Sequence, residues 1–201
     1  MTDLALARHG ETVWGPENRY AGASEVDLSP RGLLQSEQLA TWAASAGLAA
    51  VWSSSSGRAV RTAAPCAKAG GVNLRVDDRL RELDFGAGEG LTMSEMRQAW
   101  PEAIAAFEND PVSGHLPGGE DPMVAAERVN DCLHEAASIH AAGRVLIVAH
   151  NTVIRLALCE LLGLPLSGYR RLFPVVDNCA LTEVRMTPSL VALLRFNAPP
   201  A

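Results

Sequence analysis

Short apolar runs alternate along the chain with longer amphipathic stretches. Residues 4–7 and 145–149 are almost continuously aliphatic, as in strands that are buried on both faces. Amphipathic stretches with helical spacing begin at capping signals, namely Ser29-Pro30, Thr92-x-x-Glu95 and Asp121-Pro122. The alternation predicts a three-layer α/β fold, with a mostly parallel central sheet and helices on both of its faces.

The last part of the chain predicts a hairpin at the edge of this sheet. Two strand-like runs, residues 179–186 and 190–196, are separated by the turn sequence Thr187-Pro188-Ser189. They would add antiparallel edge strands to the sheet. The chain has 201 residues without an internal repeat or a linker, so we expect a single domain over residues 1–201.

Composition and charge exclude several classes of function. The chain is 48% hydrophobic and 20% charged, and its net charge of −6 argues against a nucleic-acid partner. It has no apolar run of the roughly 18 residues that a membrane span needs, and its first residues lack a signal peptide. We therefore expect a cytoplasmic protein without a membrane partner. The four cysteines form no Cys-x-x-Cys pair and are expected to be buried free thiols. The spacing of the histidines predicts no metal site.

Polar residues follow both aliphatic runs. Arg8 and His9 come directly after the first run, and His150 ends the second. Ligands of open α/β sheets bind outside the carboxyl ends of the strands, although a single Arg-His pair there is more often a solvated loop. If His9, His150, Arg8 and Arg58 meet at one edge, they form a cationic site suited to phosphate. A neutral histidine can then act as a nucleophile toward phosphorus without a metal or cofactor.

A leaving alkoxide also needs a proton. Glu82 lies in the apolar run Leu80-Arg81-Glu82-Leu83, where partial burial would raise its pKa and keep some of it protonated. The alternative is a surface carboxylate paired with Arg79 or Arg81. On the residues around Glu82 alone, the surface pair is the favoured interpretation.

Five motifs occur in an order that resembles the histidine phosphatase superfamily, in the branch of the phosphoglycerate mutases and related phosphatases. Arg8-His9-Gly10-Glu11-Thr12, with the segment from Glu17 to Gly22 after it, resembles the family signature. The other four motifs are Ser53-Ser54 with Arg58-Ala59-x-x-Thr62-Ala63, residues 81–90, Pro117-Gly118-Gly119-Glu120, and Val148-Ala149-His150.

The resemblance implies a mutase-like fold and a role for each matched residue. His9 would be the phosphorylated nucleophile, and Glu82 would act first as an acid and then as a base. The phosphate pocket would contain Arg8, Arg58 and His150, with further contacts from Asn151, at the cap of a predicted helix, and from Asn18 and Gly22.

Two departures from the family pattern affect the pocket. The family often has an asparagine after the residue matched by Trp14, where this chain has Gly15. The second histidine is usually followed by Gly-Gly or Gly-Asn-Ser, whereas His150 is followed by Asn151-Thr152. The wall beside His150 is therefore expected to be tighter or more polar.

The favoured function is a metal-independent phosphomonoesterase, a histidine acid phosphatase-type enzyme for a small phosphorylated metabolite. The mutases carry a basic insertion that closes over the substrate. The corresponding region here, about residues 91–120, is a short cap. Up to Pro117 it contains one basic residue, Arg97, apart from His115. A cap with so few cations does not obviously favour a second anionic group on the substrate. A phosphoglycerate mutase is the first alternative, and an inactive binding or regulatory protein on the same fold is the second. A homodimer is left open.

Overall fold

A six-stranded mixed sheet forms the centre of the computed structural model, which describes residues 1–201. The strand order is β3-β2-β4-β1-β5-β6. The first four strands in that order run parallel, and β5 and β6 are antiparallel to their neighbours. The predicted α/β fold, with a mostly parallel sheet and antiparallel edge strands, is confirmed. The strands are β1 (Thr2–Arg8), β2 (Leu48–Ser54), β3 (Leu74–Asp77), β4 (Arg144–Ala149), β5 (Leu181–Met186) and β6 (Val191–Ala198).

Seven helices connect and cover the strands. Three of them begin where capping signals predict, with side-chain caps at Ser29, Thr92 and Asp121. No helix is both long and apolar enough to cross a bilayer. The helices are α1 (Pro30–Ser45), α2 (Gly57–Gly70), α3 (Met93–Ala99), α4 (Pro101–Asn109), α5 (Pro122–Ile139), α6 (Asn151–Leu161) and α7 (Tyr169–Leu172).

Successive residues of the central strands serve two separate cores. Leu4 and Leu6 of β1 pack into a cluster with α5, α6 and the cap helices, whereas Ala5 and Ala7 pack against α1 and α2. Alternation of side chains along a strand explains this division, and burial on both faces explains why the strand is aliphatic throughout. All four cysteines are buried free thiols, as predicted.

Two details of the predicted helices are wrong. The apolar spacing that predicts α1 includes Leu33 and Leu34, but these two residues are exposed, and the first turns of the helix pack through Gly32 and Ser36. The helix cap at position 151 is displaced by one residue. His150 is the N-cap of α6, and Asn151 is its first helical residue without a side-chain capping bond.

Candidate active site

The parallel pairing of β1 and β4 brings the two predicted histidines together. Arg8 of β1 is in register with Ala149 of β4, and the His9 amide donates to the Ala149 carbonyl at 3.0 Å. His9 and His150 therefore follow neighbouring strands at the same edge of the sheet. Their ring centroids lie 5.0 Å apart in an edge-on arrangement.

The surroundings of His9 leave one ring nitrogen unprotonated. Nδ1 lies 2.7 Å from the Gly10 carbonyl oxygen, which only accepts, so Nδ1 carries the hydrogen and donates it. Burial holds the pKa of His9 well below its usual range, and the positive charges of Arg8 and Arg58 act in the same direction. Nε2 thus keeps a free electron pair, on a side chain that lines a cavity.

His150 is completely buried beside His9. Its Nε2 lies 2.8 Å from the Ser54 hydroxyl at the end of β2, and its buried Nδ1 has no hydrogen-bond partner. Burial again holds the pKa of the ring well below its usual range, with the neighbouring positive groups adding to the effect. The Ser54 hydroxyl also accepts from the Ser56 amide and donates to the Ser56 hydroxyl at 3.4 Å. Ser54 had no predicted role, and its contact with Nε2 fixes the orientation of the His150 ring.

The two predicted arginines are held mainly by backbone carbonyl groups. Arg58 is completely buried, and its Nη atoms donate to the Ser24 carbonyl at 2.7 Å and to those of Ala21 and Gly22 at 2.9 and 3.0 Å. Arg8 donates from Nη1 to the Val176 carbonyl at 2.9 Å. In both side chains Nε is buried without a partner. Each arginine thus has an unused donor while its charge acts on His9.

Glu82 is buried against the start of α6. Its carboxylate accepts from the amides of Leu83, Thr152 and Val153 at 2.9, 3.0 and 3.1 Å. Burial raises the pKa of Glu82, while these amide donors and the charge of Arg58 oppose the rise. Glu82 also lines the cavity with Arg8 and His9. The structure therefore places it in the site, and not in the alternative surface pairs with Arg79 or Arg81.

Gly22 does not reach the cavity, contrary to the contact expected from the resemblance. Its amide donates to both carboxylate oxygens of Glu89, at 2.9 and 3.1 Å, and its carbonyl accepts from Arg58. No backbone group of Gly22 is left for a phosphate. Glycine is needed for another reason, because a Cβ here would lie 2.1 Å from the Leu83 carbonyl oxygen.

Asn18 and Asn151 line the cavity, whereas Arg58 and His150 are completely buried and do not belong to its lining. Asn18 follows the short 3-10 helix Gly15–Glu17 with a positive φ of 54°. Asn151 lies on the first turn of α6, and its Oδ1 is buried without a partner. Gly15 and Thr152 also form part of the cavity wall. All three residues that depart from the family pattern, namely Gly15, Asn151 and Thr152, therefore line the cavity.

The cavity has a volume of about 390 Å³ and is strongly cationic. Four arginines and one carboxylate line it, namely Arg8, Arg19, Arg155, Arg170 and Glu82. A volume in the range of about 300–1,000 Å³ is typical of sites for small molecules. No group of three or more His, Cys, Asp or Glu side chains is placed to hold a metal ion.

Arg155 and Arg170 were not predicted as site residues. Arg155 lies four residues after Asn151 on α6, and residues with this spacing share one face of a helix. That spacing is a signal that identifies Arg155 once Asn151 is placed in the site. Arg170 belongs to α7, a four-residue helix for which the sequence has no periodic pattern.

Comparisons with known proteins agree on one family. The family model described as histidine phosphatase superfamily (branch 1) matches residues 4–199. A probable phosphoglycerate mutase GpmB from Escherichia coli O1:K1 is 34% identical over 190 residues, which are 94% of this chain and 87% of the relative.

Two solved structures have nearly the same fold over their whole length. Bacillus stearothermophilus YhfR has a TM-score of 0.91 and 28% identity, with 98% of each chain covered. A mycobacterial glucosyl-3-phosphoglycerate phosphatase, in complex with VO3, has a TM-score of 0.89 and 26% identity, with 98% of this chain and 99% of that chain covered.

Proposed function

This chain belongs to branch 1 of the histidine phosphatase superfamily, and we propose that it hydrolyses a small phosphorylated metabolite through a phosphohistidine on His9. The main support is the state of His9, which is neutral, fixed through Nδ1 by the Gly10 carbonyl and located in a cationic cavity. A neutral imidazole nitrogen with a free electron pair is a competent nucleophile, and covalent catalysis divides one difficult displacement into two easier ones.

In the first half-reaction, the electron pair of His9 Nε2 forms a bond to phosphorus and the phosphorus–oxygen ester bond breaks. Arg8 lines the cavity, and its free Nε–H is a donor for the phosphoryl oxygens. The buried Arg58 adds the positive charge that acts on His9, and a direct contact of Arg58 or His150 with the phosphoryl group stays a prediction, since neither residue lines the cavity. Such preorganised donors and charges stabilise the charge that develops in the transition state. Glu82, in its protonated form, gives its proton to the departing alkoxide.

In the second half-reaction, water attacks the phosphorus atom of phosphohistidine. Glu82, now ionised, accepts a proton from that water as the phosphorus–nitrogen bond breaks. The electron pair returns to Nε2, inorganic phosphate leaves, and Glu82 is protonated again. The three backbone amides that hold its carboxylate stabilise the ionised form between the two half-reactions.

A phosphoglycerate mutase is the second candidate, because the E. coli relative is described as a probable one. A mutase must keep phosphohistidine away from water until the phosphoryl group is passed on. In the cap, Phe107 is the one residue that lines the cavity, and Arg97 pairs with Glu108 instead. One of the two similar structures is that of a phosphatase. Together these observations favour hydrolysis.

Metal-free assays with p-nitrophenyl phosphate and 3-phosphoglycerate test the proposal. We expect phosphate release from at least one of the two esters and formation of an acid-labile phosphoenzyme. His9→Ala should abolish turnover and the phosphoenzyme, because it removes the proposed nucleophile. His115→Ala is the matched control, since this histidine lies exposed on a loop outside the cavity.

Each other outcome has a separate meaning. Isomerisation of 3-phosphoglycerate without phosphate release would identify a mutase. Full activity of His9→Ala would refute the role of His9 as the nucleophile. No turnover of either ester or of a broad phosphoester panel would indicate a binding or regulatory protein on this fold.

A further inference from the structure

Two arginines of the cavity lack the partners that buried arginines normally have. Arg155 donates from Nη2 to the Pro174 carbonyl at 2.8 Å, but its Nε is buried without a partner. Arg170 is 3.5 Å from the Tyr20 hydroxyl through Nη2, and its buried Nη1 has no partner. Buried polar groups are nearly always hydrogen-bonded, so two unpaired N–H donors in one cavity indicate a missing acceptor.

Neither charge is neutralised by a carboxylate. Arg19, on the same cavity wall, forms salt bridges with Glu17 and Glu95, whereas Arg155 and Arg170 form none. Glu82, the single acidic residue of the wall, is held by three backbone amides. Arg8, which also forms no salt bridge, is assigned to the first phosphoryl group, so Arg155 and Arg170 are the cations of this wall that remain free for a second anionic group.

The positions of both guanidinium groups are fixed. Arg170 stacks on the Phe107 ring, with its Cζ 4.8 Å from the ring centroid. Arg155 is anchored by the carbonyl of Pro174, a residue that also lines the cavity. Burial lowers the pKa of Arg155, and the like charge of Arg170 acts in the same direction. An anion bound between them would relieve this repulsion and take up the unpaired donors.

We propose that Arg155 and Arg170 form a second anion subsite, so that the substrate is a phosphomonoester carrying a further carboxylate or phosphate group. This inference rests on the proposed function, which assigns the first phosphoryl group to His9. The cap, whose few cations did not favour a second anionic group on the substrate, contributes Phe107 as a support for Arg170. The cations themselves come from α6 and α7.

A binding experiment tests the subsite without requiring turnover. Titration calorimetry on the His9→Ala protein compares 3-phosphoglycerate with glycerol 3-phosphate, which has a hydroxymethyl group in place of the carboxylate. We expect 3-phosphoglycerate to bind about tenfold more tightly or better, as charge-assisted hydrogen bonds allow. A second pair, fructose 1,6-bisphosphate and fructose 6-phosphate, distinguishes a second phosphate from a carboxylate.

Three further variants in the same background assign the preference to residues. Arg155→Met and Arg170→Met should each reduce it to within about twofold, since each removes one of the two guanidinium groups. Arg171→Met removes the same charge from the adjacent, exposed residue outside the cavity and should leave the preference intact. Thermal unfolding establishes that each variant is folded.

The outcomes separate this inference from the proposed function. Equal affinities within both ligand pairs would overturn the subsite, and so would equal losses in Arg171→Met and the other two variants. A preference that depends on Arg155 and Arg170 supports the subsite even if the unmodified protein releases no phosphate. Phosphate release without any preference would leave the proposed function standing alone.

Discussion

Glu82 is the residue on which opposing effects act most clearly. Burial favours its protonated form, as donation to a leaving group requires, whereas three amide donors favour the ionised form that activates water. A group that must hold a proton in one half-reaction and accept one in the next benefits from this balance. The approach of a phosphoester dianion would shift the balance further toward the protonated acid.

We predict that Glu82→Gln slows hydrolysis of esters with poor leaving groups far more than hydrolysis of p-nitrophenyl phosphate. Loss of general acid catalysis typically costs about 10²–10⁴-fold, whereas a nitrophenolate hardly needs the proton. The measurement is kcat/KM for glycerol 3-phosphate and p-nitrophenyl phosphate in both proteins. Because the activity of the acid needs its proton, the rate with the poor leaving group should also fall as pH rises through the raised pKa of Glu82.

The ratio of the two rates is needed because glutamine also disturbs the fold locally. The NH2 group of the glutamine would face either the Thr152 amide or the amides of Leu83 and Val153. In both orientations an N–H donor would face another N–H donor, which is unfavourable. Misfolding would lower both rates together. Equal losses on the two esters in a folded variant would remove Glu82 from the role of acid.

Gly15 shows how a single departure from the family pattern changes the wall. Gly15 and Asn18 both line the cavity, at the two ends of one short turn. A Cβ at position 15 would lie 2.8 Å from Glu11 Cγ, so a larger residue there requires Glu11 to move. Asn18 differs from the usual asparagine in its position along the chain and has a left-handed backbone, with a φ of 54°.

At the scale of elements, the turn that carries Glu89 supports the loop that holds Arg58. The Glu89 carboxylate accepts from the amides of Gly22, Ala23, Ser24 and Phe85 and from the Ser24 hydroxyl. The same loop turns three carbonyl groups toward Arg58. One carboxylate thus links residues 22–24 to Phe85, which belongs to the motif that contains Glu82.

We predict that Glu89→Gln lowers kcat/KM for good and poor leaving groups by the same factor, through a displaced Arg58. Glutamine has one acceptor oxygen for this ring of donors, so at least one buried amide loses its partner, at a cost of about 1–3 kcal/mol. Urea unfolding and the two ester assays measure both effects. Glu102→Gln, at an exposed position of α4, is the control. A change in the ratio of the two rates would contradict a purely positioning role.

Elements with strong local signals could be predicted, and elements held by tertiary contacts could not. Aliphatic runs, capping residues and ordered motifs identified β1, β4, the long helices and the family, and the structure and comparisons confirm them. The helix α7 has only four residues, too few for a periodic pattern, and packs against α6. The candidate site was therefore predicted without Arg170, and a second anionic group on the substrate was not favoured.

At the scale of the whole molecule, the distribution of charge matters more than its sum. The chain carries a net charge of −6, yet four arginines line its principal cavity beside one carboxylate. A cationic concavity in an acidic protein attracts anionic metabolites locally while the remaining surface repels polyanions. Without a bound anion these like charges repel one another, so the charge in and around the cavity should also affect the free energy of unfolding.

The two buried histidines make that effect measurable as a dependence of stability on pH. The pKa of each ring is held well below its usual range, so the folded protein keeps both neutral, whereas the unfolded chain protonates them near pH 6.5. Their contribution is complete above that pH and is lost as the pH falls, by about 1.4 kcal/mol per pH unit for each ring.

We therefore predict that, between pH 6.5 and 5, the free energy of urea unfolding falls less steeply in His9→Gln than in the unmodified protein. The slope should be smaller by about 1.4 kcal/mol per pH unit, which is the contribution of one ring. His115→Gln removes an exposed histidine and should keep the original slope. Identical slopes in all three proteins would mean that His9 is protonated in the folded state, and this would also remove the basis for its role as a nucleophile.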